Sequence, residues 1–556
     1  MLTQAWDTSC RDWEDRILSG RSLVPELPLF KAEAAKALRC FKRLRLPDVI
    51  GTPKLGEVCG PWFYPIVAAL FGSYDPETNI RHISEVFQLI PKGNSKSSNG
   101  GAVMVTAMIV NRRPEAEFLF IAPTMEIAAI AYKQAKGTIR LDSELSKIFQ
   151  VQDHLRKITH RQTGATLQIK AADTDVITGS KATGTMIDET HVFAKKNNAA
   201  EIFVELRGAL TKRTDGFLFQ TTTQSKQAPS GVFASELALA RAVRDGKMAM
   251  PMLPVLYELP DRLAKDGGWK DRRYWPLINP NLGRSTNEDF LAREVMRAEA
   301  DGPAAVALIA SQHFNVQIGM SLRADGWAGA NYWGRGVEDG LTLDAVLDRS
   351  EAVVVGIDGG GLDDLLGIAV LGREKESKTH LAWTHALISP EGLERRKANT
   401  GFYEKFQADG DLTVVEELPD DISYVTDIVE KAKDSKKLCG VGVDAIGIGG
   451  IVDALAKIGV TQEDKMLVGV RQGISLMGAI KTVERKLVDG SFKHGGQALM
   501  TWCAGNARIV PTPTGMRVAR DDSGYGKIDP LMALFNASAL LALNPNPQPR
   551  YQLFFA

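Results

Sequence analysis

The sequence predicts an α/β protein of two sheet-containing units, and three observations carry the prediction. From residue 82 to 257, apolar strand-like runs alternate with helical stretches, the pattern of a mostly parallel sheet. Early in that region an apolar run, 86–90, breaks into a small-residue loop and reopens as a helix. Beyond residue 346 a second α/β set begins, and its apolar runs end in aspartates. At 556 residues the chain is too long for one core, so two or three domains are expected.

Four stretches follow from composition: 1–60, 61–257, 258–345 and 346–556. The first reads as short helices, 6–19 and 31–45, separated by proline-bearing turns. The second opens on the aromatic run Trp62-Phe63-Tyr64 and an apolar helix over 65–71. It then reaches Pro91-Lys92-Gly93-Asn94-Ser95, behind which Lys96-Ser97-Ser98 start a helix continuing over 101–110. A strand, a small-residue loop and a helix N-terminus can cradle a polyphosphate. Backbone N–H groups and the helix dipole face the anion, the lysine reaches the β/γ-phosphates, and the serine hydroxyl ligates Mg²⁺. The usual pattern has glycines at its first and sixth positions, where this chain has Ile90 and Ser95. An ordinary strand–turn–helix stays open on this stretch alone. The aromatics at 62–64 either wall a nucleotide base or pack against the sheet.

The region continues with strands at 118–122 and 166–170 and a helix after Pro123-Thr124. Residues 182–187 then run β-branched and apolar into Asp188-Glu189-Thr190-His191. Carboxylates at the carboxyl end of a parallel strand lie where such sheets bind ligands. Asp188 suits an Mg²⁺ shell, and Glu189 suits orienting or deprotonating an attacking water. An isolated acidic pair reads as a solvated loop; paired with the phosphate loop it reads as an ATPase site. The next strand, 216–220, ends in Thr221-Thr222-Thr223, whose hydroxyls can sense a γ-phosphate, though threonine is also a good strand residue.

From 258 to 345 the composition shifts to Gly, Pro and Trp, with Trp269, Trp275, Trp327 and Trp333, and reads as a linker subdomain packing between two larger ones. The second α/β unit starts with an apolar strand over 352–357 that delivers Asp358 into Gly359-Gly360-Gly361, followed by Asp363-Asp364 and a hairpin partner over 365–371. A second strand ends at Asp444, and Asp529 starts an apolar helix. Each aspartate alone reads as a cap or turn residue. Together they can converge on a site of hard oxygen ligands for Mg²⁺ or Mn²⁺, and two such ions suit phosphodiester cleavage.

Composition narrows the rest. Hydrophobic residues make up 44% and charged residues 24%, ordinary globular values. The 67 basic and 67 acidic residues balance, so any nucleic-acid surface is local. Five scattered cysteines (Cys10, Cys40, Cys59, Cys439, Cys503) show no metal spacing, which fits a reduced setting without structural zinc. The charged start of the chain lacks an apolar signal core. The longest apolar stretch, 531–543, is short and carries Asn536, so neither a signal peptide nor a membrane span is expected.

With these motifs in order, the chain from about residue 62 to 543 resembles the large terminase subunit of tailed bacteriophages. Pro91 to Ser97 is similar to the family's phosphate loop, which lacks the leading glycine; Lys92 stands where an arginine is usual and Ser95 where a glycine is. Ala172-Asp173-Thr174 through Gly179 to His191 looks like its Walker B segment, and 221–223 like its coupling motif. Asn279-Pro280-Asn281-Leu282-Gly283 and His313-Phe314-Asn315 recur there as fold markers. Asp358, Asp364, Asp444 and Lys527-Ile528-Asp529 match its acidic positions, Asp364 better than Asp363. Phe63 stands where an adenine-contacting glutamine is often found.

The resemblance implies a P-loop ATPase domain joined to a ribonuclease-H-like nuclease domain. The implied chain hydrolyses ATP with Mg²⁺ to move double-stranded DNA into a procapsid, and cleaves concatemers with two Mg²⁺ or Mn²⁺ ions. It implies a portal protein and a small terminase subunit as partners, a homo-oligomeric ring on the portal, and no membrane. The implied location is the cytoplasm of the infected bacterial host, not the mature virion. It also implies an arginine finger, for which Arg207 and Arg213, between the acidic pair and the threonines, are candidates or else surface ion-pair residues. Two other classes stay open: a helicase- or repair-type ATPase–nuclease without a capsid role, and a non-catalytic DNA-binding assembly protein.

Overall fold

The computed structural model describes residues 6–547 apart from 173–180, 197, 227–228, 230, 266, 319–325, 362–363, 396–399, 419, 445–448, 513–514 and 521–525. The chain forms two compact units, Met1–Ile318 and Gly319–Ala556.

The first unit opens with helices α1 (Trp13–Leu18), α2 (Lys31–Arg43) and α3 (Tyr64–Gly72). Its core alternates β1 (Glu85–Leu89), α4 (Lys96–Val110), β2 (Glu117–Ala122) and α5 (Met125–Arg140), then a run of β3 (Phe149–Gln152), β4 (Lys157–His160), β5 (Thr166–Ala171) and β6 (Ala182–Asp188). It closes with α6 (Ala199–Leu210), β7 (Phe217–Thr222), α7 (Gly231–Arg244) and β8 (Met252–Leu256). The eight strands lie in the order β8-β1-β7-β6-β2-β5-β4-β3, parallel from β8 to β5 with an antiparallel edge of β4 and β3. Every residue of β1, β6, β7 and β8 is buried, which is why these strands read as continuous apolar runs. The β3–β4 ribbon, short and polar, escaped sequence reading. Register matters most here: Leu89 pairs with Thr222, and Asp188 with Thr221. Three strands therefore end level, at one edge.

The second unit holds β9 (Ser350–Gly359), β10 (Leu366–Glu374), β11 (His380–Ile388), β12 (Leu412–Val414), α8 (Asp420–Asp434) and β13 (Leu438–Asp444). There follow β14 (Leu467–Val470), α9 (Met477–Asp489), β15 (Phe492–His494), the hairpin β16 (Ala507–Thr512) and β17 (Gly515–Arg520), and α10 (Asp529–Leu541). Its sheet runs β12-β11-β10-β9-β13-β14, with β15 also paired to β11. β9, β10 and β11 are antiparallel, as the predicted hairpin requires, while β13 and β14 lie parallel to β9. Helix α10 lies on this sheet at van der Waals contact. A Cβ on Gly356 would sit 1.9 Å from the Ala533 carbonyl oxygen, and one on Gly367 2.6 Å from the Asp529 carbonyl carbon. Only glycine admits so close an approach.

The boundary at 318/319 falls inside the tryptophan-rich stretch, and its tryptophans divide with it. Trp269 and Trp275 flank Phe314 at 5.1 and 5.2 Å in the first unit. Trp327 and Trp333 pack on each other and on Phe535 and Phe492 in the core of the second.

Candidate active sites

β1 runs out at Leu89, and the chain turns through Pro91 to Asn94 before α4 begins at Lys96. The turn needs left-handed backbone at its end: Ser95 has φ +58°, a conformation costing a non-glycine residue roughly 1 kcal/mol. Asn94, fully buried, fixes the loop from inside. Its Nδ2 donates to the Pro91 carbonyl at 3.1 Å and to Asn279 Oδ1 at 2.8 Å, and its Oδ1 accepts from the Asn281 N–H at 3.0 Å. Ser285 Oγ donates to the Gly93 carbonyl at 2.6 Å, and the Lys92 N–H to the Gln312 carbonyl at 2.9 Å.

The level strand ends bring the acidic pair and the threonines to this loop. Ser97 Oγ donates to Asp188 Oδ2 at 2.6 Å, while Asp188 Oδ1 is buried with no hydrogen-bond partner among the described residues. Glu189, also left-handed at φ +56°, sets Oε1 3.5 Å from Lys96 Nζ and Oε2 3.2 Å from His191 Nδ1. Burial and then Glu189 push Asp188 above the usual carboxylate range. Burial also raises Glu189, but Lys96, His191 and Lys92 outweigh it and hold that carboxyl below the usual range. Burial lowers the Lys92 ammonium, with Lys226 and Lys96 adding to the effect against Glu189. Three crowded lysines and a buried carboxylate oxygen without a donor fit a polyphosphate and its Mg²⁺. Thr221 Oγ1 donates to Gln88 Oε1 at 3.2 Å and Thr222 Oγ1 to the Thr223 carbonyl at 3.0 Å; Thr223 Oγ1 is buried without a partner among the described residues. Ser98 follows in the first turn of α4, and residues 173–179 lie outside the described residues.

The arginines are a correction. Arg207 forks onto Glu85 (2.9 and 3.0 Å) and Glu236 (2.9 and 2.7 Å), and Arg213 donates to the Lys181 carbonyl at 3.2 Å. Glu85 begins β1 and Lys181 precedes β6, so both arginines sit at the amino ends of the strands, opposite the phosphate loop. A helix that returns antiparallel to its strand carries its last turn to that far edge. Neither reaches the site.

Trp62 donates from Nε1 to Asn281 Oδ1 at 2.8 Å and, with Tyr257 and Pro280, lines a cavity of about 260 Å³. Phe63 is fully buried against Phe41 and lines no part of it.

In the second unit Asp358 pairs with Gly367, against which Asp529 is pressed, and the β9–β13 register sets Asp358 beside Asp444. Burial, then Asp529 and Asp444, push Asp358 up to about 8. Two acidic side chains close enough to raise a third offer the hard, negative surroundings a divalent cation takes. Among the described residues no three acidic, histidine or cysteine side chains stand close enough together to hold an ion as they are. Asp364 is ion-paired with Lys527, itself buried. Asp363 lies outside the described residues.

Residues 256–543, more than half of the chain, match the family described as "Terminase large subunit, endonuclease domain", and residues 61–235 match "Terminase large subunit, ATPase domain". The chain belongs to the terminase large subunit family. It is 27% identical to Protein YmfN of Escherichia coli (strain K12) over 291 residues, 48% of this chain and 59% of that protein. It is 23% identical to the terminase large subunit of Enterobacteria phage HK97 over 283 residues, 50% of this chain and 52% of that one. The matches thus span only about half to three fifths of those relatives. The crystal structure of the HK97 large terminase aligns over 91% of this chain and 99% of its own, at 18% identity and a TM-score of 0.49.

Several residues of this terminase carry structure that sequence reading did not assign. Asn279 and Asn281 clasp the phosphate loop through Asn94, and Asn315 accepts from the Gln224 N–H at 3.2 Å and donates to the Tyr257 carbonyl at 2.9 Å. Asn536, buried in α10, donates to the Ile357 carbonyl at 2.9 Å and bonds Asp358. A lone asparagine in an apolar helix was the available signal.

Proposed function

We propose that this chain is the ATP-hydrolysing, DNA-cleaving motor subunit that packages double-stranded DNA into a procapsid. The observation that carries the reading is the meeting of Lys96, Ser97, Asp188 and Glu189 at one edge of a parallel sheet. Lys96 and Lys92 are placed to hold the β/γ-phosphates of ATP, and Ser97 and Asp188 would hold Mg²⁺, which would supply neutralisation of the charge developing on the transferred phosphoryl group. Glu189 orients the attacking water, and Thr221 to Thr223 lie where loss of the γ-phosphate is felt. Trp62 and Tyr257 wall the slot for the base. In the second unit Asp358, Asp444 and Asp529 would hold two Mg²⁺ or Mn²⁺ ions, whose chemistry would be to activate water and stabilise the leaving oxygen.

We assign hydrolysis to residues 61–257 and cleavage to 346–556, with 1–60 a helical lead and 258–345 the connection. The partners are DNA held through its phosphates, a portal protein, a small terminase subunit and further copies in a ring; the setting is the infected host's cytoplasm. The test has two arms. ATP turnover should vanish in Glu189→Gln, and plasmid cleavage with Mn²⁺ or Mg²⁺ should vanish in both Asp358→Ala and Asp444→Ala. Cleavage unchanged in those variants would remove the nuclease reading. ATPase activity indifferent to the portal would favour a helicase- or repair-type enzyme instead.

A further inference from the structure

His191 stands one residue beyond the acidic pair's neighbour Thr190, in a short 3-10 turn, and neither arm of the mechanism above uses it. Its geometry joins both halves of the hydrolytic site. The ring Nδ1 lies 3.2 Å from Glu189 Oε2 and 3.1 Å from Thr222 Oγ1, and the backbone N–H donates to the same Thr222 Oγ1 at 3.0 Å. Proton accounting fixes the roles. Thr222 spends its single hydroxyl proton on the Thr223 carbonyl at 3.0 Å, so toward His191 it can only accept. Glu189 is an acceptor as well. Nδ1 is therefore the donor, its hydrogen bond goes to Thr222 Oγ1, and Glu189 Oε2, buried and without a hydrogen-bond partner among the described residues, faces the same nitrogen at 3.2 Å. The ring's edge meets Phe233 of α7 at 6.1 Å, which limits its rotation.

The other contact to Glu189 is temporary by the logic of the site. Lys96, 3.5 Å from Oε1, is the lysine that must turn to the phosphates when nucleotide binds. Once it leaves, the described contact that still directs the Glu189 carboxylate is the one from His191. Glu189 also needs directing more than most side chains, because its backbone is held left-handed between strand and turn. We propose that His191 is the positioning residue for Glu189, aiming its carboxylate at the attacking water and tying that aim to Thr222 at the end of β7. The proposal rests on the ATPase reading above. A shift of Thr222 on phosphate release moves His191 through two hydrogen bonds, one to its ring and one to its backbone N–H, and the ring moves the carboxylate.

The experiment is steady-state ATP hydrolysis by the full chain in His191→Ala, His191→Asn, Thr222→Val and the His191→Ala/Thr222→Val double variant, with thermal unfolding to confirm folding. An asparagine amide places a donor near the position of Nδ1. His191→Ala should lower kcat by about 10- to 100-fold with KM for ATP within about threefold, the size of effect that misplacing a catalytic group produces. His191→Asn should restore most of that loss, and the double variant should lose no more than the worse single one. Equal loss in the alanine and asparagine variants, a change in KM alone, or an alanine variant as fast as the parent overturns the inference while leaving the ATPase reading in place. A parent chain that binds but never hydrolyses ATP overturns the reading, and this inference with it.

Discussion

In the first unit the reactive groups meet partners: Lys96 faces Glu189 at 3.5 Å, and the Ser97 hydroxyl donates to Asp188 at 2.6 Å against the push of Glu189. In the second unit Asp358 faces Asp529 and Asp444, and burial with those like charges pushes it up to about 8. The phosphate site carries its own counterions and assembles before any ligand arrives. The carboxylate site is held together by backbone packing, through α10 on Gly356 and Gly367, against its own electrostatics. The first needs its ligand to rearrange it; the second needs a cation to relieve it.

The largest expected effect concerns how acid separates the two units. The second unit buries His380, His385 and His494, lowered to about 3, 4 and 4, by burial in each case and for His380 also by Lys486 and Arg373. In the first unit His313 is lowered to about 4, by burial and then Lys92. A histidine depressed on folding takes its proton first in the unfolded chain. Stability is therefore intact above the ordinary value of 6.5 and is lost as pH falls from there toward 4. At a pH one unit below that value each such group withdraws about 1.4 kcal/mol. Asp358, raised to about 8, regains stability over the same fall and offsets part of the loss, but with three such histidines against one the second unit should still unfold first. Calorimetry at pH 7.5 and about 5.5, with hydrogen exchange to assign the transitions, checks it. A first unit that melts earlier in acid would reverse the expectation.

A smaller effect tests the electrostatic contrast directly. Asp358→Asn replaces a buried carboxyl that folding forces toward its neutral form and should stabilise the metal-free chain by about 1–3 kcal/mol while ending cleavage. Glu189→Gln removes the partner of Lys96 and should move stability the other way. Urea unfolding in EDTA reads both signs, and two variants shifting in the same direction would erase the distinction drawn between the sites.

Much of this was legible in the chain, and what was not has a physical reason. The strands that end at Leu89, Asp188 and Thr222 are buried on both faces, so they announce themselves as apolar runs, and chemistry at their ends follows. Asp358 and Asp444 were legible for the same reason. Arg207 and Arg213 were misplaced because sequence order gives no sense of which edge a returning helix reaches. The pairing of Asp364 with Lys527, far along the chain, is likewise something spacing does not reveal. The asparagines at 94, 279 and 281 act across long separations through single hydrogen bonds, which leave no periodic trace. Asn94→Ala would leave the Asn281 N–H and Asn279 Oδ1 without their partner, costing about 1–3 kcal/mol and raising KM for ATP, whereas unchanged KM would mean the loop holds its shape without the clasp.

The smallest effect isolates one backbone angle. Ser95 sits at φ +58° as the residue before α4, with no cap hydrogen bond from its side chain, where the family resemblance calls for glycine. Glycine enters that region without the Cβ clash, a gain of roughly 1 kcal/mol, but it also gives the unfolded chain more freedom to lose. The two terms nearly offset, so Ser95→Gly should raise stability by no more than a few tenths of a kcal/mol, about 0.5 at most. Because the loop is already clasped by Asn94 and Asn281, the gain should appear in the unfolding midpoint and leave KM for ATP within about twofold. A large fall in KM would show instead that Ser95 keeps the loop from closing on phosphate, and that the first site is less completely assembled than its hydrogen bonds indicate.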